Sequence, residues 1–328
     1  MKKGLVFGKF MPPHKGHLAL IDKAYNNCDL LQVLLCYTKE EPIPGELRVE
    51  WMTQVLMNYP STILIPYCYN PQLLPNTSVA SEEVSELWAA AFQQLVPDTD
   101  ILFTSEKYGE YVSRFMHIEH MLYDEMRSEH PISATAIREN PFLHWDWIAE
   151  PARRYFVKKV AILGSESTGK SLMAKNLAKY FHTSYVPEMA RDIVEKTDTC
   201  TIDDLYKIAS LQATHIQKEL QKANRILFSD TDLTTTASYA AFLFNHQLEV
   251  SEEIRKINQF DLYLFLETDC PFVQDGTRLD EAMRNSLSRH HEEYLHRNNI
   301  PFTKITGRDW DSRQKSAIDV IHKKFPQL

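Results

Sequence analysis

Cysteine is sparse and unpatterned in this chain. Its five copies in 328 residues, Cys28, Cys36, Cys68, Cys200 and Cys270, are odd in number and show neither CxxC nor Cys/His ligand spacing. That scatter excludes a disulfide framework and a thiolate metal centre, and it fits a reduced, cytoplasmic setting. No apolar run approaches the roughly 20 residues that a membrane span requires. The opening Met1-Lys2-Lys3 imitates a signal peptide only briefly, since Lys9, Pro12 and Pro13 interrupt the apolar run behind it. The chain is therefore expected to be neither secreted nor inserted. A basic patch is also missing, and with a formal net charge of -8 the chain would repel nucleic-acid phosphates.

What is present is a globular composition, 44% hydrophobic and 24% charged, in a length that suits two domains. Short apolar runs alternate with amphipathic stretches. Leu30 to Cys36, Thr62 to Ile65 and Asp100 to Thr104 read as strands, and Ser81 to Leu95 reads as a helix. The Pro/Asn-rich segments from Thr38 to Gly45 and from Tyr69 to Ser78 read as loops at a sheet edge. Aromatic residues, Pro141 and Pro151 break the pattern near Asn140 to Phe156, and the alternation restarts at Lys158 with a long helix from Asp203 to Lys222 and strands at Arg225 to Phe228 and Leu262 to Leu266. The predicted fold is α/β, with two doubly wound parallel-sheet domains over residues 1–150 and 151–328. Their glycine motifs differ, so they are not repeats.

The first motif, Gly8-Lys9-Phe10-Met11-Pro12-Pro13-His14-Lys15-Gly16-His17, follows the apolar run Leu5-Val6-Phe7 and leads into a helix-like stretch. Backbone N–H groups face a phosphate at such a turn, and His14, Lys15 and His17 add donors for charge that develops on a transferred group. A metal role for the two histidines is disfavoured because no third ligand is in sight. Far downstream, Ser133 and Thr135 in Ile132-Ser133-Ala134-Thr135-Ala136-Ile137-Arg138 suit a helix cap that binds an anion, and Arg138 offers a planar fork for phosphate.

Gly164-Ser165-Glu166-Ser167-Thr168-Gly169-Lys170-Ser171 follows the apolar run Val160 to Leu163 and is a P-loop. Its glycines allow positive φ, Lys170 reaches the β- and γ-phosphates of ATP, and Ser171 binds Mg²⁺. The matching carboxylate is expected at a second strand end, where Asp230 stands, with Thr231 and Asp232 behind it. Glu188, Arg191 and Asp192 make a charged cluster after the next strand. A kinase needs a carboxylate beside the accepting hydroxyl, and Glu188 and Asp232 both qualify. Arg278, in the turn Asp275-Gly276-Thr277-Arg278, is the candidate cation of a closing lid, ahead of Arg284 and Arg289.

Together GxFxPxHxGH and ISxTxxR resemble the two signatures of the nucleotidyltransferases that build NAD. The resemblance implies that His14 and His17 orient the α-phosphate of ATP, that Ser133 and Arg138 grip the β- and γ-phosphates, and that Gly8, Lys9, Phe10, Lys15 and Thr135 complete the ATP site. Trp88 stands where such enzymes present an aromatic face to a pyridine ring, although it reads equally well as a half-buried core residue. Over nearly its full length the chain resembles the NadR family, which joins a nicotinamide-mononucleotide adenylyltransferase to a ribosylnicotinamide kinase. The segment from Ile132 to Ser171, including Arg138-Glu139-Asn140-Pro141-Phe142 and the P-loop, is similar to that family's junction, and Ser229 to Asp232 and Gln274 to Arg278 are similar to two later stretches. Gln274 departs from the family's usual residue there.

The resemblance implies ATP as co-substrate, Mg²⁺ as cofactor, and ribosylnicotinamide and nicotinamide mononucleotide as the ligands handled in turn, with Glu188, Arg191 and Asp232 near the riboside. Only Met1 to Lys3 precede Gly4 and the first strand, so the helix-turn-helix repressor module of some members is not expected, nor is operator binding. Self-association and transient contact with a nicotinamide riboside transporter are compatible with this reading. A rival keeps the fold but changes the phosphorylated acceptor and the nucleoside, with the pyridine-facing residues as discriminator. A rival of another class is a sensor of NAD and ATP with little turnover, which signals to a partner such as a transporter. Both motifs are intact, which favours the enzyme, and no cysteine or serine nucleophile is needed for either transfer.

Overall fold

The computed structural model describes residues 1–75, 81–194, 199–273 and 280–328. The chain divides into two compact units, Met1–Tyr155 and Phe156–Leu328.

The first unit runs β1 (Lys3–Gly8), α1 (Lys15–Tyr25), β2 (Leu30–Tyr37), α2 (Gly45–Leu56), β3 (Thr62–Cys68), α3 (Glu82–Leu95), β4 (Ile101–Thr104), α4 (Tyr108–Met116), β5 (Glu119–Leu122), α5 (Ala134–Glu139) and α6 (Glu150–Arg153). Its five strands are parallel in the order β3-β2-β1-β4-β5, so the chain reverses direction across the sheet between β1 and β4. Alternation along the strands serves two cores. Val6, Val33 and Leu35 pack with residues of α1 and α2, whereas Leu5, Leu34 and Cys36 pack with residues of α3 and α4. Strands buried on both faces read as continuous apolar runs, which is why β1 and β2 were legible. The stretch after α5 stays with this unit: Arg154 is ion-paired with Glu50, and Tyr155 stacks edge-on to the buried Trp51 at 5.6 Å.

The second unit runs β6 (Lys158–Leu163), α7 (Lys170–Tyr180), β7 (Tyr185–Val186), α8 (Ile202–Leu220), β8 (Ile226–Asp230), α9 (Leu233–Phe244), α10 (Glu252–Ile257), β9 (Leu262–Leu266), α11 (Glu281–Arg297), β10 (Thr303–Ile305) and α12 (Trp310–Lys324). Its parallel order is β10-β9-β6-β8-β7, which puts the P-loop strand β6 in the centre beside β8. The register pairs Ile162 with Asp230, so the carboxylate ends level with the start of the P-loop. The strand expected to end at Phe228 runs on to Asp230, because Ser229 and Asp230 are fully enclosed and keep the ladder. Among the described residues, no helix is long and apolar enough to cross a membrane.

Candidate active sites

A cavity of about 680 Å³ opens at the carboxyl edge of the first sheet, beside the reversal between β1 and β4. Ligands of open α/β sheets bind at such a point because strand-end and helix-start backbone groups converge there. Gly8, Lys9, Phe10 and His17 of the first motif reach its wall, as do Thr135 and Arg138 of the second. His14 caps α1. Its backbone N–H donates to His17 Nδ1 at 3.3 Å, and the two rings stack with centroids 3.7 Å apart. An accepting ring nitrogen carries no proton in neutral imidazole, so the His17 proton sits on Nε2. Burial, with the neighbouring Arg127 and His130, depresses His14 to about 3; burial, with His14 and Arg127, holds His17 well below the usual imidazole range. Both rings are thus neutral donors at neutral pH rather than cations. Gly16 is needed on steric grounds, since a Cβ there would sit 3.2 Å from the His14 ring, whereas one on Gly8 would meet only ordinary contacts at 3.5 Å.

Ser133 Oγ accepts from Ala136 N–H at 3.1 Å and caps α5. Thr135, expected as a second cap, lies inside the helix, where its Oγ1 accepts from Arg138 at 3.0 Å. Arg138 also donates to the Met11 carbonyl, which ties the two motifs together. Lys9, in the cavity wall, has its ammonium paired with Glu41 at 2.7 Å, and Glu41 also holds the fully buried Arg48. Lys15 is exposed and lies over the Trp147 ring at 5.9 Å rather than in the cavity wall. Trp88 is half-buried and lines the cavity: its Nε1–H donates to the Pro75 carbonyl at 3.0 Å, and its ring meets Tyr69 edge-on. Glu41, Arg48 and Tyr69 were not singled out from sequence. The available signal was Arg48 itself, a charge one turn before the core residues Trp51 and Met52 on the same helix face.

In the second unit a cavity of about 390 Å³ is walled by the P-loop, the 188–194 segment, α8 and α9. Gly164 and Gly169 take φ of +137° and +86°, and a Cβ would meet the Leu266 carbonyl at 2.7 Å or the Trp310 ring at 2.6 Å, so only glycine fits either place. Glu166, Ser167, Lys170 and Ser171 face the cavity, while Ser165 and Thr168 are buried behind the loop and bond each other, Thr168 Oγ1 to the Ser165 carbonyl at 2.8 Å. Lys170 Nζ donates to that same carbonyl at 3.0 Å.

Asp230 is buried. Enclosure and the nearby Glu188 carboxylate push its carboxyl up to about 6, against the opposing pull of Lys170, Ser171 and Arg191, and its Oδ1 has no hydrogen-bond partner. Arg191 links Glu188 (3.1 Å) to the Ser171 hydroxyl (3.2 Å). Glu188 and Arg191 line the cavity, but Asp232 does not: it caps α9, accepting from Thr235 N–H at 2.9 Å and Thr235 Oγ1 at 3.1 Å. Asp232, expected near the riboside, is thus engaged as the cap of α9 and stands outside the cavity wall. Tyr239 on α9 was missed. It lines the cavity and stacks edge-on to His291 at 5.0 Å, but the apolar helix around it reads as plain core. Arg278 and the whole Gln274 to Arg278 stretch lie outside the described residues.

Residues 159–313 match the model of the AAA domain family. The trifunctional NAD biosynthesis/regulator protein NadR of Escherichia coli (strain K12) is 29% identical over 350 aligned positions, covering 98% of this chain and 82% of the relative. Its counterpart in Salmonella typhimurium is also 29% identical, over 97% of this chain. A probable nicotinate-nucleotide adenylyltransferase of Sulfurovum sp. matches 43% of the chain and 76% of its own length at 23% identity. Among solved structures, NadR in complex with NR superposes with a TM-score of 0.80 at 24% identity over 98% of this chain and 96% of that one. NadR in complex with NAD and AMP-PNP gives 0.78 at 22% identity over 99% and 96%. The likeness to the NadR proteins runs through both units, and both nucleotide motifs are in place, so the chain is a homologue of NadR over nearly its full length.

Proposed function

We propose that this chain makes NAD in two steps. The second unit phosphorylates the 5′-hydroxyl of ribosylnicotinamide with ATP, and the first joins the resulting mononucleotide to the adenylyl group of another ATP, releasing pyrophosphate. One observation carries this reading: there are two distinct cavities, each at the carboxyl edge of its own parallel sheet and each lined by one of the two phosphate motifs. The relatives' printed descriptions support it, since they name NAD biosynthesis and complexes with NAD, AMP-PNP and NR. Its five unpaired cysteines suit work in the cytoplasm, where thiols stay reduced.

In the first site a phosphate oxygen of the mononucleotide attacks the α-phosphorus, and the electron pair of the breaking bond leaves on pyrophosphate. His17 Nε2–H, fixed by its Nδ1 contact with the His14 backbone, donates to the α-phosphate. Arg138, Ser133 and Thr135 hold the outgoing phosphates. Gly8 and Phe10 shape the loop around them, Lys9 stands in the wall neutralised by its pair with Glu41, and Lys15 is a solvated charge. Trp88 and Tyr69 give the pyridine ring a face.

In the second site Glu188 orients the riboside hydroxyl and accepts its proton, Arg191 steadies the substrate, and the 164–171 backbone cradles the phosphates. Lys170 exchanges the Ser165 carbonyl for phosphate oxygens. Mg²⁺ fits this set, since Ser171 offers a hydroxyl and Asp230 a buried carboxylate with an unpartnered oxygen. When bound, the ion neutralises phosphate charge.

The test uses purified protein with ribosylnicotinamide, ATP and Mg²⁺. Lys170→Ala should cut mononucleotide formation by about 100-fold or more while added mononucleotide still becomes NAD; His17→Ala should do the reverse. Loss of both conversions in either variant contradicts this division of labour.

A further inference from the structure

The loop between β5 and α5 turns on Asp124, whose carboxylate accepts from the backbone N–H groups of Ser128, Glu129 and His130 at 2.7, 3.2 and 3.0 Å. This turn seats His130 against the start of α1, where a Cβ on Gly16 would lie 3.6 Å from the His130 Cβ. From the same turn, Arg127 pairs with Glu106 at 3.2 Å, and Glu106 belongs to the cavity wall just past β4. The guanidinium is also near enough to both His14 and His17 to depress each of them. Arg127 therefore stands between Glu106, a wall residue just past β4, and the imidazole pair at the start of α1.

A triphosphate brings several negative charges into this cavity, yet most groups already assigned to it have little positive charge to spare. Arg138, whose partners Met11 and Thr135 are uncharged, is the one full cation so far placed there, whereas Lys9 is paired with Glu41 and the imidazoles are neutral. Arg127 differs, since its side chain is 44% exposed and its partner is a half-exposed carboxylate that a phosphate can displace.

Resting on the adenylyltransferase reading, we infer that Arg127 is a phosphate-binding residue of the first site, exchanging Glu106 for oxygens of the ATP triphosphate beside His14 and His17. As the mononucleotide oxygen bonds to the α-phosphorus, the bond from that phosphorus to the bridging oxygen breaks and its electron pair passes to pyrophosphate. Arg127 holds the charge that builds there.

The experiment measures NAD formation from added mononucleotide and ATP by the full chain, with Arg127→Ala and Arg127→Lys compared with wild type. Its readouts are the KM for ATP, the KM for mononucleotide, the inhibition constant of pyrophosphate and the melting temperature. Arg127→Ala should raise the ATP and pyrophosphate constants by about 10- to 100-fold, with the mononucleotide KM within about twofold. Lysine should recover part of the loss, since it keeps the charge but not the fork. Riboside phosphorylation, run in parallel, should not change. Unaltered ATP and pyrophosphate constants overturn the inference, and so does an equal rise of all three constants accompanied by a lower melting temperature, the mark of a loop brace. If the wild-type chain makes no NAD from these substrates, the adenylyltransferase reading itself fails and the inference with it.

Discussion

His14 and His17 stay uncharged because enclosure outweighs any gain from protonation, and that has a consequence for stability. The folded pKa of His14 is about 3, below the 6.5 of a free imidazole, so between those values the unfolded chain binds a proton that the folded chain refuses. Stability contributed by the neutral ring is therefore complete above pH 6.5 and lost as pH falls toward 3. His14 alone should cost about 2 kcal/mol between pH 7 and pH 5. Denaturant midpoints of wild type and His14→Gln at both pH values check this: the gap between the two proteins should narrow at pH 5. A gap that stays constant would mean that the ring is accessible to protons.

At the scale of elements, strand β8 and helix α9 share one short connection in which two carboxylates divide two jobs. Asp230 ends the strand beside the P-loop, and Asp232 caps the helix. Replacing the cap, as in Asp232→Ala, removes two hydrogen bonds in a buried place and should destabilise by about 1–3 kcal/mol. Asp230→Asn should do the opposite to stability. A carboxyl whose folded pKa is raised to about 6 penalises folding once ionised, so removing the charge stabilises at pH 7, by roughly 1–3 kcal/mol. The same variant should lose kinase activity by about 100-fold. Thermal melts and riboside phosphorylation assays on both variants separate the two roles.

Sequence made much of this arrangement legible. A P-loop is a contiguous run whose glycines and lysine act through local backbone geometry, and apolar strands buried on both faces announce themselves. Less visible were contacts made across the fold. The Glu41–Arg48 pair behind Lys9, the placing of Tyr239 on a cavity wall and the engagement of Asp232 as the cap of α9 depend on which helix packs where, and no local pattern encodes that. The short strands β5, β7 and β10, of four, two and three residues, carry too few positions for a period to show.

On the scale of the whole molecule, the two units use the same physical device, phosphate held at the carboxyl edge of a parallel sheet, for different bonds. In the proposed sequence one breaks ATP between the β- and γ-phosphates and the other between the α- and β-phosphates, and the product of the first step is the acceptor of the second. The order of events then leaves a signature in the products. The most direct measurement incubates the full chain with ribosylnicotinamide, excess ATP and Mg²⁺ and counts every product at completion. This account predicts equal amounts of NAD, ADP and pyrophosphate, with mononucleotide rising and then falling. ADP without pyrophosphate, or NAD that appears with no passage through free or bound mononucleotide, would contradict it.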